Sequence, residues 1–308
     1  MSISVKILGS NSASFAHNRH HTSQIVQVQD QYIMIDCGEG TQIQCKRFGV
    51  KISRIDTILI SHLHGDHYYG LMGLLSTMHL YGRQKTVTLI GPPGLSDIIK
   101  LQLRHSETHF NFHVDFREWV PDSAELVIDH PKMTIHTIPL DHRVPCSGYL
   151  IKEKPKRRRI NQKILPEKLA PHQINALKNG EDILDAEGLV KYRNEDVTLP
   201  PQKPFSYAYC SDTKYRASVI EQIKGADILY HEATFMEDMR DRAENTYHTT
   251  AYQAGQIATE AEVRQLLIGH FSTRYRDLNP VLAEAKTAFA QTSLAIEGLI
   301  FDVKMIAS

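Results

Sequence analysis

A run of seven residues at positions 61–67, Ser-His-Leu-His-Gly-Asp-His, constrains this chain more than any other feature. It directly follows an apolar stretch at 57–60 that predicts a β-strand, and it precedes a predicted helix. Four candidate ligands within six residues would repel or desolvate one another if they were buried without a cation. Imidazole and carboxylate ligands suit zinc or manganese, and the run contains no thiolate. The run therefore predicts a metal site at the end of a strand.

Local chain geometry limits how many of these four side chains can reach a single ion. The natural division is between two ions, with His62 and His64 on one and Asp66 and His67 on the other. The alternative is a surface loop in which the histidines occur by chance. The concentration of ligand types directly after one strand favours the two-ion site.

A two-ion site needs more ligands, and these should also lie at strand ends. Three residues satisfy this condition, because His142, Asp212 and His270 each follow an apolar stretch that predicts a strand. An aspartate is the usual residue to bridge two cations, since its two oxygens can bind one ion each. Each residue alone could be a structural histidine or a capping aspartate. Their order along the chain together with the main motif favours metal binding.

The rest of the chain predicts short strands that alternate with helices. Strands are expected at residues 3–8, 24–35, 57–61, 86–90, 126–128, 132–139, 207–210, 228–231, 266–268 and 299–305. Helices are expected at residues 70–81, 95–103, 250–259 and 280–289. Turn residues at 30–31 and 130–131 predict two antiparallel hairpins. This mixture fits an α/β fold in which helices cover the outside of two layered sheets.

The composition excludes several classes of protein. The 308 residues are 42% hydrophobic, which allows a sizeable core and argues against disorder. The 35 basic residues are balanced by 35 acidic ones, so the chain does not coat nucleic acid through overall charge. We find no apolar run long enough for a membrane span and no signal peptide. The four cysteines form no Cys-x-x-Cys pair, so we expect no disulfide framework and a cytoplasmic location.

One segment departs from this pattern. Residues 152–168 contain eight basic and two acidic residues, and a second polar, proline-rich stretch follows at 191–204. We expect a single domain over residues 1–308 with a basic arm inserted at 150–202. The alternative is a flexible, solvated loop, which is the usual state of an isolated run of charge.

These motifs together resemble a known family. The stretches Ile-Leu-Gly-Ser at 7–10, Asp-Cys-Gly-Glu-Gly-Thr-Gln at 36–42, His-Glu-Ala-Thr at 231–234 and His-Phe-Ser-Thr at 270–273 accompany the histidine motif. The histidine motif alone specifies the metallo-β-lactamase superfamily. The other stretches narrow the resemblance to ribonuclease Z, the endonuclease family that trims the 3′ end of precursor tRNA. They span nearly the whole chain, and the basic insertion lies where that family carries a projecting arm.

The resemblance implies an αββα sandwich of two mixed sheets with two zinc ions per chain at the sheet edges, manganese being the alternative metal. It implies a hydrolase in which water activated by two metals cleaves the 3′ trailer and leaves a 3′-hydroxyl on the tRNA. It also implies a homodimer in which the arm of one subunit grips tRNA that the other subunit cuts. The residues that would contact tRNA phosphates are Lys154, Lys156, Arg157, Arg158 and Arg159.

The resemblance also assigns roles around the reacting phosphate. His248 matches a family histidine near the scissile phosphate and would protonate or hydrogen-bond the departing 3′ oxygen. Glu232 would orient His248, and Asp66 would accept a proton from the attacking water in addition to binding metal. His231 is not a ligand by this correspondence.

The chain departs from the family pattern in two places. Many relatives have Pro-x-Lys-x-Arg-Asn in an early loop linked with reading the tRNA acceptor end. The matching stretch at 15–20 is Phe-Ala-His-Asn-Arg-His, in which Arg19 remains as a predicted RNA contact. The arm has Lys-Leu-Ala-Pro-His at 168–172 where the family has a glycine-rich apex. These departures concern acceptor and CCA recognition and leave the fold and metal chemistry untouched.

Two other functions fit parts of the sequence. Another hydrolase of the same fold, such as a small-molecule phosphodiesterase, an arylsulfatase or a thioesterase, would use the metal site but has little use for a basic arm. A metal-bound RNA-binding protein without catalysis would use the arm but has no need for a complete ligand set with His248.

Overall fold

Short apolar stretches of the sequence form strands that pair into sheets. The computed structural model describes residues 3–164 and 168–306. The strands are β1 (Ile3–Gly9), β2 (Ser23–Val28), β3 (Gln31–Cys37), β4 (Ile55–Leu59), β5 (Val87–Gly91), β6 (Val114–Glu118), β7 (Leu126–His130), β8 (Met133–Pro139), β9 (Ser147–Glu153), β10 (Arg159–Ile160), β11 (Ile183–Leu184), β12 (Val190–Tyr192), β13 (Thr198–Leu199), β14 (Ser206–Cys210), β15 (Ile228–Glu232), β16 (Gln265–Gly269), β17 (Thr292–Leu294) and β18 (Ile300–Asp302). The helices are α1 (Thr41–Arg47), α2 (Gly65–Tyr68), α3 (Leu71–Leu80), α4 (Leu95–His105), α5 (Pro171–Asn179), α6 (Asn194–Val197), α7 (Ser218–Ile223), α8 (Arg240–Asn245), α9 (Ala251–Glu260), α10 (Asn279–Ala288) and α11 (Val303–Ile306), with short 3₁₀ helices at Ile52–Arg54 and Glu237–Met239.

The chain divides into two units. The main unit contains the chain up to Lys152 and from Phe205 onward, and the second unit is Glu153–Pro204. One seven-stranded sheet of the main unit has the order β18-β1-β2-β3-β4-β5-β6, and the other has the order β17-β16-β15-β14-β9-β8-β7. Both sheets are mixed: in the first, β2 and β3 are antiparallel whereas β3, β4 and β5 are parallel.

Three apolar layers hold the main unit together. The inner faces of the two sheets share one layer, to which Leu59 of β4 and Tyr209 of β14 both belong. Helix α3 packs Leu74 on the outer face of the first sheet, and α9 packs Ala254 on the outer face of the second. The small residues of α9 recur every three to four positions, so one face of this helix is buried. The layers run helix, sheet, sheet, helix, which confirms the predicted αββα fold.

The sequence predicts some elements less well than others. Both predicted hairpins are antiparallel, with β2 paired to β3 and β7 paired to β8. The continuous strand predicted at 299–305 is wrong beyond Asp302, because the Asp302 carboxylate accepts the Lys304 N–H (2.9 Å) and the chain turns into α11. Strand β9 is not predicted, because Gly148 weakens the strand signal. A Cβ at Gly148 would lie 2.2 Å from the Tyr209 carbonyl oxygen, so this close approach requires glycine.

The second unit has hydrogen-bonded structure of its own. It contains two ribbons, β10 with β13 and β11 with β12. Leu177, Ile183 and Val197 are buried together at its centre. The Asn194 side chain donates to the backbone carbonyls of Leu177 (2.6 Å) and Glu181 (3.1 Å). This unit overlaps the arm predicted at 150–202, and residues 165–167 of the basic stretch, with Pro166, lie outside the described residues.

Candidate metal centre and active site

The seven predicted ligands converge at strand ends of the two sheets. They come from the segment after β4 (His62, His64, Asp66 and His67) and from the loops after β8 (His142), β14 (Asp212) and β16 (His270). Asp212 and His270 have φ angles of 59° and 57°, a left-handed conformation that costs a non-glycine residue roughly 1–3 kcal/mol. Such strain directly after a strand is typical of residues held in place for function.

The ligand atoms form two neighbouring groups. The first contains His62, His64 and His142, and the second contains Asp66, His67 and His270. Within each group the ligand atoms lie within 4.8 Å of one another. His64 Nδ1 and His142 Nε2 are 3.1 Å apart in the first group. His67 Nε2 and His270 Nε2 are 3.3 Å apart in the second. Each group is therefore small enough to surround one ion.

Asp212 lies between the two groups. Its Oδ1 atom is 4.0 Å from Nε2 of both His62 and His142. Its Oδ2 atom is 3.0 Å from His67 Nε2 and 3.4 Å from His270 Nε2. The carboxylate thus presents one oxygen to each group, which is the arrangement that a bridging ligand requires.

Other protein groups hold four of the histidine rings from the side away from the cluster. The contacts are Ser61 Oγ to His62 Nδ1 (3.0 Å), Asp36 Oδ2 to His67 Nδ1 (2.7 Å), the Tyr247 carbonyl to His142 Nδ1 (3.2 Å) and Thr234 Oγ1 to His270 Nδ1 (2.9 Å). Such contacts fix ring orientation and leave Nε2 for a metal. His62 Nε2 is buried without a hydrogen-bond partner among the described residues, and a cation would supply one. The donor set therefore fits a divalent metal ion.

The buried histidines and carboxylates of the cluster shift one another's pKa values strongly. Burial, reinforced by His67, holds the pKa of His62 well below its usual range. Burial opposes a charge on His67 as well, but the carboxylates of Asp212, Asp66 and Asp36 outweigh it and hold the pKa of His67 well above its usual range. Burial would raise the pKa of Asp212, yet the surrounding histidines hold it well below normal. A divalent cation at this position would supply positive charge beside the same carboxylates.

Asp36 supports the cluster, although the motif pattern alone gives it no role. It is fully buried at the end region of β3 and accepts hydrogen bonds from the Ser61 N–H (2.7 Å), the Ser61 hydroxyl (2.9 Å) and the Tyr209 hydroxyl (2.6 Å). It therefore fixes both the start of the histidine motif and the ring of His67. Its signal in the sequence is its place directly after an apolar strand, whereas Tyr209 gives no signal of its own.

His248 and Glu232 form a pair beside the cluster. His248 Nδ1 lies 2.9 Å from Glu232 Oε1 and 3.9 Å from Asp212 Oδ1. Glu232 is fully buried and also accepts the Thr213 N–H (2.8 Å) and the Thr234 hydroxyl (2.5 Å). Burial would lower the pKa of His248, but the Glu232 carboxylate raises it to about 9. The ring is therefore protonated at neutral pH and can donate a proton.

Two histidines near the cluster lie outside the two ligand groups. His248 is close enough to Asp212 and His270 to share an ion with them, but its Nδ1 atom is already bonded to Glu232. This bond favours proton transfer over metal binding. His231 is fully buried in β15, its Nδ1 atom lies 2.8 Å from the Glu232 carbonyl, and it joins none of the ligand groups formed by the described residues.

A cavity of about 900 Å³ opens over the cluster. His64, Asp66 and His248 line it, so both predicted proton-transfer groups face the same space. Three arginines that line it are also exposed to solvent: Arg143, Arg242 and Arg274. Guanidinium groups are well suited to phosphate oxygens, so the cavity suits an anionic substrate.

Arg19 does not fit its predicted role as an RNA contact. It is only 9% exposed, and its guanidinium donates to Asn11 Oδ1 (3.1 Å) and to the carbonyls of Tyr275 (2.5 Å) and Arg276 (3.4 Å). A phosphate contact needs an accessible guanidinium. Arg19 instead ties the early loop to the loop that follows His270, two segments that the sequence does not show to be neighbours.

The basic residues of the second unit differ in their surroundings. Arg157 and Arg159 are exposed, whereas Lys154, Lys156 and Arg158 are half-buried. Within the unit, Arg157 donates to Asn175 Oδ1 (2.7 Å), Arg158 donates to Thr198 Oγ1 (2.7 Å) and Lys156 pairs with the buried Glu153 carboxylate (3.0 Å). Lys156 and Arg158 therefore support the structure of the unit, and of the five predicted phosphate contacts Arg157 and Arg159 are the two that are exposed.

Solved structures share this architecture. The short form of human tRNase Z has a TM-score of 0.71 at 23% identity over 97% of this chain and 99% of that one. The metallo-β-lactamase fold protein YhfI from Bacillus subtilis has a TM-score of 0.69 at 20% identity over 98% of this chain and 100% of that one. This likeness shows that the chain has the metallo-β-lactamase fold, with the histidine–aspartate cluster at its strand ends.

Sequence comparisons define the family more narrowly. Residues 3–149 match the family model described as Anti-Pycsar protein Apyc1. Ribonuclease Z of Cytophaga hutchinsonii is 47% identical over 303 residues, which cover 98% of this chain and 97% of the relative. This identity over nearly the full length shows that the chain belongs to the ribonuclease Z family of tRNA 3′-processing endoribonucleases.

Proposed function

We propose that this endoribonuclease removes the 3′ trailer of precursor tRNA with two zinc ions and leaves a 3′-hydroxyl on the tRNA. The observation that carries the proposal is Asp212, whose two oxygens face two separate ligand groups. One ion would be held by His62, His64 and His142, and the other by Asp66, His67 and His270. When bound, the two ions lower the pKa of water toward neutrality and neutralise charge on the phosphoryl oxygens. Manganese suits the same ligands.

The chain's own side chains would move the protons. Burial of Asp66 would raise its pKa, but His67 and His270 lower it, so the carboxylate is ionised. It would take the proton of the attacking water, whose own pKa the bound metal lowers. His248 would donate its proton to the departing 3′ oxygen while Glu232 holds the ring in place. The bond from water oxygen to phosphorus forms as the bond to the 3′ oxygen breaks, so the trailer leaves with a 5′-phosphate.

The cavity favours a polynucleotide over the small substrates of other hydrolases with this fold. Arg143, Arg242 and Arg274 line it from exposed positions, which suits the successive phosphates of an RNA strand. The reacting group of a thioester is itself uncharged. An aryl phosphodiester or sulfate ester offers one anionic group, and the metal centre would already bind it.

We further propose that the segment 150–202 is a tRNA-binding arm and that the protein acts as a homodimer. The arm of one subunit would grip tRNA that the other subunit cuts. The exposed guanidinium groups of Arg157 and Arg159 support the first part, because phosphate contacts dominate the affinity of proteins for nucleic acids. The resemblance to the ribonuclease Z family supports the second.

Neutralising the exposed charge of the arm should weaken tRNA binding selectively. Arg157→Gln with Arg159→Gln should raise KM for precursor tRNA roughly tenfold and flatten the slope of log affinity against log salt by roughly 0.7–0.9 per lost contact. Hydrolysis of a small aryl phosphodiester should stay nearly unchanged, because that substrate meets only the metal pocket. The matched control is Lys286→Gln with Lys304→Gln, which removes two exposed charges outside the arm. Equal affinity and equal salt slope for the two double variants would show that tRNA is held elsewhere.

Mixing the arm double variant with an active-site variant, at tRNA concentrations where each cleaves poorly alone, tests the proposed exchange between subunits. The arm double variant keeps its active site, and the His248→Ala variant keeps its arm. In a mixed dimer, one intact site would face an intact arm only if the arm serves the partner subunit, so cleavage should recover. A dimer that forms without recovering activity would place the arm and its site on the same subunit.

We propose a cytoplasmic location for this enzyme. The support is the proposed substrate, because an enzyme that cuts precursor tRNA must be in the compartment that contains this RNA. Across residues 3–164 and 168–306, none of the helices combines the length and apolar character needed to cross a membrane.

A further inference from the structure

An aromatic side chain stands exposed at the active-site cavity. Phe15 is 55% exposed, and it lines the same cavity as Asp66 and His248. A single exposed apolar residue on a protein surface needs no explanation. The position of Phe15 beside the predicted reacting groups, and the way its loop is held, distinguish it from a chance surface residue.

The segment before Phe15 is fixed to the metal centre. The Ala13 N–H donates to Asp66 Oδ2 (2.8 Å), which connects the loop directly to a predicted metal ligand. The Asn11 side chain donates to the Ser14 carbonyl (2.5 Å) and closes a tight turn. The backbone before Phe15 is therefore held at a set distance from the cluster.

The segment after Phe15 is fixed as well. The Arg19 N–H donates to the Ala16 carbonyl (2.9 Å). The buried Arg19 guanidinium donates to the Tyr275 carbonyl (2.5 Å) in the loop that follows His270. The ring of His20 contacts the ring of Phe15 nearly at right angles, with centroids 4.9 Å apart. Phe15 is thus an exposed ring on a loop anchored at both ends, so little entropy is lost when a ligand packs on it.

The surroundings indicate what would pack on this ring. The exposed Arg143, Arg242 and Arg274 line the same cavity and suit phosphates. A nucleotide presents a phosphate and a flat base together, and proteins commonly hold unpaired bases by stacking them on aromatic side chains. We propose that Phe15 is a stacking platform for the base of a nucleotide that flanks the scissile phosphate, and that Arg19 is the residue that positions it. This inference rests on the proposed cleavage of precursor tRNA at this site.

The test compares two substitutions at Phe15 on matched RNAs. Phe15→Leu keeps apolar volume but removes the aromatic face, whereas Phe15→Trp keeps such a face. On precursor tRNA, Phe15→Leu should lower kcat/KM roughly tenfold, and Phe15→Trp should stay near wild type. Precursors with an abasic nucleotide on one or the other side of the scissile bond complete a double-mutant cycle. With one of these abasic precursors, kcat/KM of the wild-type enzyme should also fall roughly tenfold. The kcat/KM of Phe15→Leu should fall no further on that precursor, because the ring and the base act as a pair.

The outcomes separate this inference from the proposed function. Equal cleavage of all RNAs by wild type and Phe15→Leu would overturn the stacking platform while leaving the endonuclease intact. The stacking platform would also be overturned if the substitution and each abasic site lowered kcat/KM independently, with additive free-energy effects. A fall in metal content in either variant, measured by elemental analysis, would assign Phe15 to the support of the metal centre instead. If wild type cleaves no precursor tRNA, the proposed function itself fails.

Discussion

Replacing Asp212 with alanine should empty the metal centre and abolish cleavage. The carboxylate presents one oxygen to each ligand group, so its loss removes a ligand from both ions at once. In the proposed mechanism two ions would activate water and neutralise phosphoryl charge, so losing them should lower kcat by roughly 10³-fold or more. Elemental analysis of protein purified without chelator should find up to two metal ions per wild-type chain and fewer in the variant.

The control for this prediction is Asp30→Ala. Asp30 is an exposed aspartate that pairs with Lys132, so this substitution removes the same charge from the surface. It should leave both metal content and cleavage unchanged. An Asp212→Ala protein that is fully active and retains its metal would contradict the assignment of the bridge.

Replacing His248 with alanine should separate the chemistry from metal binding. The Nδ1 atom of His248 is bonded to Glu232, and His248 lies outside the two ligand groups, so metal content should stay at the wild-type level. Loss of general acid catalysis typically lowers the rate about 10²–10⁴-fold. The loss should appear in kcat more than in KM, because the proton is transferred only as the 3′ oxygen departs.

Two further variants sharpen this prediction. Glu232→Gln removes the charge that holds His248 protonated while it keeps a hydrogen-bond acceptor, so kcat should fall by a smaller factor. His105→Ala, at an exposed histidine at the end of α4, should leave kcat unchanged. An unchanged kcat for His248→Ala on precursor tRNA would remove this residue from the mechanism.

The sequence indicates that the candidate ligands lie at strand ends, because their signal is local. Each ligand or ligand cluster follows an apolar strand, and the ends of neighbouring strands meet at one edge of a sheet. Asp36 also follows an apolar stretch, but its contacts with Ser61 and Tyr209 form in the folded interior and give no pattern along the chain. A pattern along the chain does not show which residues of two facing sheets come within hydrogen-bonding distance.

Arg19 shows the opposite failure. An arginine in an early polar loop predicts an exposed charge, and burial of its guanidinium depends on carbonyl groups more than 250 residues away along the chain. The end of β18 is likewise set by a contact that the sequence pattern does not show. The apolar residues at 299–305 continue past Asp302, and one side-chain hydrogen bond to the Lys304 N–H decides that the strand ends there.

We propose that a metal-activated water molecule hydrolyses precursor tRNA at its 3′ trailer. The most direct test incubates the purified, metal-loaded protein with a precursor tRNA that carries a 3′ trailer, and then maps the ends of both products. We expect one metal-dependent cut that leaves a 3′-hydroxyl on the tRNA and a 5′-phosphate on the trailer. RNA that stays bound but uncut in the presence of metal would contradict it. A 2′,3′-cyclic phosphate on the tRNA would contradict it too, because the nucleophile would then be the 2′-hydroxyl and not water.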